Sequence, residues 1–273
     1  MDDKPFLILS DVHLGAVPPA TERAVLKFCE YTCEIASGLV INGDLFDVWF
    51  ASEQFVPHAY VRALAALAQV VERGVPVYFV SGNRDVAGWG GRVLQDDFGI
   101  QVLPDPTRLI IAGRTALVAH GDGVRAGDVH GYRKPYALLR NPVIVWAAHH
   151  LLPNDWFFRT LSRRSGTRVW VARHARGEPT GPKARAPQIE AWARAQLKRD
   201  PQLSLIVCGH SHLPALREVE SGRYYVNAGD WISHFTYVLV PPGHGPPEVL
   251  RWPSRKPFDW AAVDVADARE VAV

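Results

Sequence analysis

Residues 6–15 read FLILSDVHLG, and the fold follows from them. Phe6–Ser10 is a short apolar run without helical spacing, and the chain turns polar directly after it, through Asp11, His13 and Gly15. A run of this kind reads as a buried strand ending in a loop. The pattern returns twice. Residues 38–44 (GLVINGD) end in Gly43 and Asp44, and Val75–Val80 runs on to Gly82, Asn83, Arg84 and Asp85. Residues 20–36 and 58–73 lie between these runs and have helical character, the second stopping at Gly74. Strand alternating with helix predicts an α/β sandwich. In such folds ligands sit beyond the carboxyl ends of the strands, which is where the polar residues fall.

Further along, 108–112 and 115–119 flank Gly113 and Arg114 as a hairpin and lead into His120, Gly121 and Asp122. Residues 204–208, 214–219, 223–227 and 235–240 read as more strands, the first entering Gly209, His210, Ser211 and His212. The segment between is different. Residues 123–200 hold fifteen Lys and Arg against five acids, a net +10, while the rest of the chain holds fifteen against 23, a net −8. The overall charge of +2 is a cancellation. Helix-like stretches at 142–152, 156–161 and 189–197 and a loop at 177–183 mark the basic segment as a helical insertion. The expected organisation is a core of 1–122 and 201–250, a cap of 123–200 and a tail of 251–273.

With 273 residues, 48% of them hydrophobic and 21% charged, the composition is that of an ordinary globular protein. Wholesale disorder is excluded. The three cysteines, Cys29, Cys33 and Cys208, form neither a disulfide framework nor a zinc-type spacing and are expected as thiols in a reducing compartment. The acidic start and brief apolar run do not make a signal peptide. No apolar stretch approaches the roughly 18 residues of a membrane span. A cytoplasmic protein is expected.

Five motifs stand at strand ends: Asp11 with His13, Gly43 with Asp44, the 82–85 turn, His120 with Asp122, and His210 with His212. Carboxylate, amide oxygen and imidazole together suit Mn, Fe, Zn or similar divalent ions. Two ions a few ångströms apart need a shared carboxylate, and hydrolysis of a phosphate ester uses such a pair. Each motif alone is a common turn, but all five in order, each closing an apolar run, form one constellation.

The set resembles the calcineurin-like metallophosphoesterases, whose pattern is D-x-H, G-D, G-N-H-[DE], H and G-H-x-H. The resemblance covers about 1–122 and 203–240. It implies a four-layer αββα sandwich and two metal ions, with Mn²⁺ expected and Fe or Zn possible by chemistry. Asp11, His13, Asp44 and His212 would hold one ion, and Asp44, Asn83, His120 and His210 the other. Where the family pattern has a His after Gly-Asn, this chain has Arg84. Arginine cannot act as a general acid, but it can clamp phosphate bidentately. That favours a leaving group that departs without a proton, as a phosphate does and an alkoxide does not. Pairing of Arg84 with Asp85 is the structural alternative.

The 82–85 turn and the 43–49 stretch GDLFDVW are similar to one branch of the family, the UDP-2,3-diacylglucosamine hydrolases of lipid A synthesis. That resemblance implies cleavage of a pyrophosphate in a lipid-linked sugar nucleotide, with Asp44, Asn83 and Arg84 catalytic and the insertion capping the acyl chains. Asp128 and Tyr132 fall near a substrate-binding feature of the branch, and 227–231 resembles its late strand. Arg163, Arg164 and Lys183 are candidates for contacting phosphate or headgroup. Basic helices carrying Trp146, Leu151, Leu152, Trp156, Phe157, Phe158 and Trp170 suit a peripheral membrane surface, here the inner membrane. Two other readings of the insertion are a solvated basic face over an aromatic core and a nucleic-acid surface. The continuous apolar run 142–152 argues against nucleic acid as partner. His149 and His150 diverge by about 100° on a helix and are not expected as co-ligands. A broader phosphodiesterase acting on nucleotides or nucleic acid, and a non-catalytic scaffold, are the alternative functions.

Overall fold

The apolar runs pair into two sheets that pack face to face. The computed structural model describes residues 3–125, 127–132, 141–176, 185–243 and 245–260. The N-terminal half alternates as expected through β1 (Phe6–Leu9), α1 (Pro19–Ile35), β2 (Gly38–Asn42), α2 (Val61–Glu72) and β3 (Val77–Val80), and one further pair, α3 (Gly91–Asp96) and β4 (Gln101–Leu103), continues it. A hairpin follows, β5 (Thr107–Ile111) with β6 (Arg114–Val118), then a two-stranded ribbon, β7 (Val124–Arg125) with β8 (Asp128–Tyr132). Four helices come next: α4 (Pro142–Leu151), α5 (Asn154–Arg163), α6 (Gly166–His174) and α7 (Ala186–Arg199). The chain then runs through β9 (Leu205–Cys208), β10 (Pro214–Glu220), β11 (Arg223–Ala228), β12 (Thr236–Val240), β13 (Glu248–Arg251) and β14 (Lys256–Pro257).

The seven-stranded sheet has the order β14-β13-β12-β1-β2-β3-β4, and the five-stranded sheet the order β10-β11-β9-β6-β5. β1 through β4 run parallel, as do β6, β9 and β11. Parallel central strands are covered on both faces, which explains why β2 is buried at all five positions. Ile8, Val40 and Val80 face Val118, Val207 and Val226 across the sandwich. On the outside of the first sheet, α1 buries Val25, Phe28, Cys29 and Thr32, and α2 buries Ala63, Leu64, Leu67 and Val70. Both sets follow helical spacing, a stripe turned toward the sheet. Cys29 and Cys208 are buried free thiols, and burial pushes the Cys29 thiol up to about 12.

The fourth layer is α7. Its Ile189, Trp192, Ala193 and Leu197 pack with Ile206, Cys208 and Tyr225 on the outer face of the second sheet. The sequence places 186–199 in the insertion, but the apolar stripe of this helix matches the sheet. The segment after 250 also differs from a plain tail: β13 and β14 extend the first sheet, and Trp252 packs edge-on against Phe28. Helices α4 to α6 stand apart from both sheets. Ala148, His149 and Phe157 bring them against Phe50 and Trp89, with His149 stacked on Phe50 at 4.4 Å between ring centroids. His150 instead stacks on Trp146. The two histidines part as the helix geometry requires. Loop 177–183 lies outside the described residues.

Candidate metal centre

Every parallel strand in the middle of the molecule delivers a polar residue to the same end. Asp11 and His13 follow β1, Asp44 follows β2, Asn83 follows β3, His120 follows β6, and His210 and His212 follow β9. Eight non-glycine residues among those described have left-handed backbone, and five of them are Asp11, His13, Asp44, His210 and His212, with φ between 53° and 64°. Strained backbone of this sort costs about 1–3 kcal/mol per residue and persists where the surroundings over-determine it. Here the surroundings are close-set turns. A methyl on Gly82 would lie 2.0 Å from the Asp44 carboxylate, and one on Gly209 would lie 2.1 Å from the Ser10 hydroxyl. Glycine at those two positions lets the strand ends approach.

Each carboxylate has one oxygen occupied and one free to bind. Asp11 Oδ2 accepts from the Ser10 hydroxyl and, at 2.9 Å, from the His210 backbone N–H. Its Oδ1 is buried without a hydrogen-bond partner, 3.4 Å from His212 Nε2 and 4.0 Å from His13 Nε2. Asp44 Oδ1 accepts from the Arg84 backbone N–H at 2.9 Å. Its Oδ2 lies 3.8 Å from His13 Nε2 on one side and 3.7 Å from His120 Nε2 on the other. His13 Nε2, His120 Nε2 and Asn83 Oδ1 are likewise buried without hydrogen-bond partners. Buried polar atoms are normally satisfied. A cation about 2.0–2.2 Å from each would satisfy these, and ligands on one ion then stand a little over 3 Å apart. Two groups bring their ligand atoms within 4.8 Å of one another: Asp11, His13 and His212, and Asp11, Asp44 and His120. The residues fit divalent metal, with Asp11 common to both groups and Asp44 Oδ2 lying between His13 and His120.

The charges point the same way. Burial raises the Asp44 carboxyl well above its usual range, with His120 opposing and Asp85 and Asp11 adding to the rise. Burial lowers His120, but Asp44, Asp11 and Asp122 outweigh it and lift the ring to about 10. Burial, His212 and Arg84 push His13 down, and burial with His120 and His212 pushes His210 down to about 2. His13 and His210 are held neutral as donors, while the buried carboxylates keep a proton on His120, a positive charge that a divalent cation would replace.

The surrounding loops hold these groups still. Asp85 accepts from the backbone N–H groups of Asp44, Gly82 and Phe46, so its carboxylate braces the two turns. Asn227 donates to Gly209 O at 2.8 Å and to the Ser211 hydroxyl, and Trp231 N–H donates to Asp11 O. His120 N–H donates to Asp105, and His120 Nδ1 faces Asn42 O at 2.9 Å.

The family model for calcineurin-like phosphoesterases matches residues 4–214. The chain belongs to that family. This calcineurin-like phosphoesterase is 33% identical over 231 residues to the UDP-2,3-diacylglucosamine hydrolase of Azotobacter vinelandii, covering 82% of this chain and 90% of that one. It is 30% identical over 241 residues to the protein of the same name in Xanthomonas axonopodis pv. citri, covering 86% and 94%. The Aeromonas salmonicida protein of that name is 30% identical over 261 residues, covering 92% and 95%. A metal-dependent phosphoesterase on an αββα sandwich accounts for both the match and the site.

The structure gives two of the expected substrate contacts other partners. The Tyr132 hydroxyl donates to Asp105 at 2.9 Å and accepts from Gly121 N–H, and its ring packs on Trp192. It braces the carboxylate that holds His120. Asp128 is exposed and closes the turn before Gly131 by accepting from the His130 and Gly131 N–H groups. Both bonds fall on Oδ1. Arg163 and Arg164 are exposed at the end of α5, and Lys183 lies outside the described residues.

Ser165 and Arg168, which the sequence did not single out, and Trp170, read there as a membrane-facing aromatic, connect α6 to the centre. The Ser165 hydroxyl donates to buried Asp47 at 2.7 Å, Arg168 donates to Gly15 O at 3.0 Å, and Trp170 stands edge-on to His212 at 4.2 Å. Ser165 had a legible signal: it precedes a helix and caps it by accepting from Thr167 N–H.

Proposed function

We propose that this phosphoesterase cleaves the pyrophosphate of UDP-2,3-diacylglucosamine or a close relative, giving UMP and a lipid monosaccharide 1-phosphate. The observation that carries the reading is the set of unpartnered buried donors around Asp44 beside Arg84 in place of a histidine. The identity to curated hydrolases of that name along most of both chains supports the substrate. Asp11, His13, Asp44 and His212 would hold one ion and Asp44, Asn83, His120 and His210 the other, with Mn²⁺ the preferred metal. Such a pair, when bound, neutralises phosphoryl oxygens and supplies a water acidic enough to ionise near neutral pH. Arg84, half-buried at the centre, would clamp a phosphate and leave departure of the sugar phosphate to proceed without proton donation. Its structural alternative is weakened because the Asp85 oxygens are taken by backbone donors.

The cap in this reading is α4 to α6. Val143, Trp146, Leu151, Trp156 and Val169 are each more than half exposed there. Residues 141–176 also carry six arginines and one acid. Apolar side chains ringed by arginine suit the face of an anionic membrane. No helix among the described residues is long and apolar enough to cross a membrane. We place the protein peripherally on the cytoplasmic face of the inner membrane, with Arg163, Arg164 and Lys183 near headgroup or phosphate.

The test is direct. With Mn²⁺, the purified protein is expected to release UMP from UDP-2,3-diacylglucosamine, to lose that activity in chelator and to act poorly on an alkyl phosphodiester. Release of UDP, or preference for the phosphodiester, would overturn the assignment.

A further inference from the structure

Among the described residues, His212 is the candidate ligand whose imidazole rests against a carboxylate that faces away from the site. His212 Nδ1 lies 3.2 Å from Asp230 Oδ2, while His212 Nε2 points toward Asp11 Oδ1 at 3.4 Å. His120, by contrast, is backed by a neutral carbonyl, Asn42 O, and His13 Nδ1 has no hydrogen-bond partner. Asp230 is itself fixed. It is 1% exposed, and its Oδ1 accepts from the Ser233 and His234 backbone N–H groups at 2.9 Å each and faces His234 Nδ1 at 3.2 Å. The loop that carries it is tied to the site by Trp231 N–H on Asp11 O.

We infer that Asp230 is a positioning residue that orients His212, and through it one of the two metal subsites. The inference rests on the dinuclear reading above. A carboxylate accepts and cannot donate, so His212 must carry its proton on Nδ1. Nε2 is then left with a lone pair aimed at the centre. A carboxylate behind a ligating imidazole also makes it a better donor, and loss of such partners lowers metal affinity about 10–100-fold. The subsite of Asp11, His13 and His212 has this support where His120 has a carbonyl instead, so loss of Asp230 should strike the first subsite and spare the one around His120.

Asp230→Asn is the informative change, because it preserves shape. If the new amide keeps its oxygen toward Ser233 and His234, its NH₂ meets His212 Nδ1–H, donor against donor. The ring must then move its proton to Nε2, which cannot ligate. Asp230→Ala removes the partner without imposing the wrong proton position, and its loss should be smaller.

The experiment is a Mn²⁺ titration of metal-free protein by calorimetry, with free Mn²⁺ followed by electron paramagnetic resonance and the fold of each variant checked by circular dichroism. The wild type is expected to take two ions. D230N should lose about 10–100-fold in affinity at one of them. On a His212→Ala background, D230N should lower affinity no further, whereas a purely structural role would lower it in both backgrounds. Two unchanged sites in D230N, or equal losses with and without His212, would overturn the positioning role and leave the dinuclear reading standing. A wild-type chain that takes up no Mn²⁺ would overturn both.

Discussion

Asp44 and Gly82 are in contact, and the consequences can be read at two positions. An alanine at 82 would set its Cβ 2.0 Å from Asp44 Oδ1 and 2.5 Å from the Asp44 backbone nitrogen. Backbone cannot swing aside, so Gly82→Ala is expected to cost about 1–3 kcal/mol, as overpacked interiors do. Thermal melts check this, with Gly166→Ala as control, since an added methyl there meets open space. A melting temperature for Gly82→Ala equal to wild type would contradict the packing. Arg84 is the second position. Arg84→His removes a permanently charged clamp, and pyrophosphate cleavage should fall about a hundredfold in kcat/KM, the loss typical of one preorganised donor. It should not create a good alkyl phosphodiesterase. Improved phosphodiester turnover with pyrophosphate cleavage intact would refute the clamp. Asp11, His13, Asp44, His120, His210 and His212 were legible in sequence because each ends an apolar run. Asp230 was not, because its partner lies 18 positions away and meets it only when β11 returns beside β9.

At the level of elements, α6 is joined to the loops around the centre by Ser165 on Asp47, Arg168 on Gly15 O and Trp170 against His212. Ser165 caps its own helix and also donates to Asp47, with both residues buried. Ser165→Ala leaves a buried carboxylate oxygen short of a donor, a defect of about 1–3 kcal/mol. It should raise amide exchange across 166–174 while β1 and β2 stay protected. Exchange unchanged in α6 would mean that this helix is held elsewhere. The sequence missed α6 itself, since Val169, Trp170 and Val171 are adjacent and trace no stripe on a helix. It assigned α7 to the insertion because charge and position along the chain agree with its neighbours there. The helix packs on the second sheet because Ile189, Trp192, Ala193 and Leu197 lie on one face. Strands β4, β13 and β14, two to four residues long, are too short to show a period.

The whole molecule places its acidic centre beside a basic, apolar cap. Trp146, Leu151 and Trp156 are 56%, 70% and 58% exposed. Each side chain of this size gains about 1.5–3 kcal/mol when fully withdrawn from water. Replacing all three with serine is expected to abolish co-sedimentation with anionic vesicles. Hydrolysis of a short-chain, water-soluble substrate should stay within twofold of wild type. Added salt should weaken the wild-type association, because the arginines contribute through a screened field. Vesicle binding equal to wild type in the triple variant would remove the cap from the membrane.

The alternation of strand and helix through β3, helices α1 and α2, and the five ligand-bearing turns come from local pattern: apolar runs of strand length, helical stripes and glycines where turns crowd. These are properties of residues near one another in the chain, and composition and spacing record them. Which carboxylate oxygen faces the centre, the brace from Tyr132 through Asp105 to His120, the support of His212 by Asp230 and the split of the cap aromatics belong to tertiary structure. Phe157 packs inward against Phe50 at 5.0 Å, while Trp156, its neighbour in sequence, faces out. Each of these outcomes depends on a contact between segments far apart in the chain, and local pattern holds no term for it.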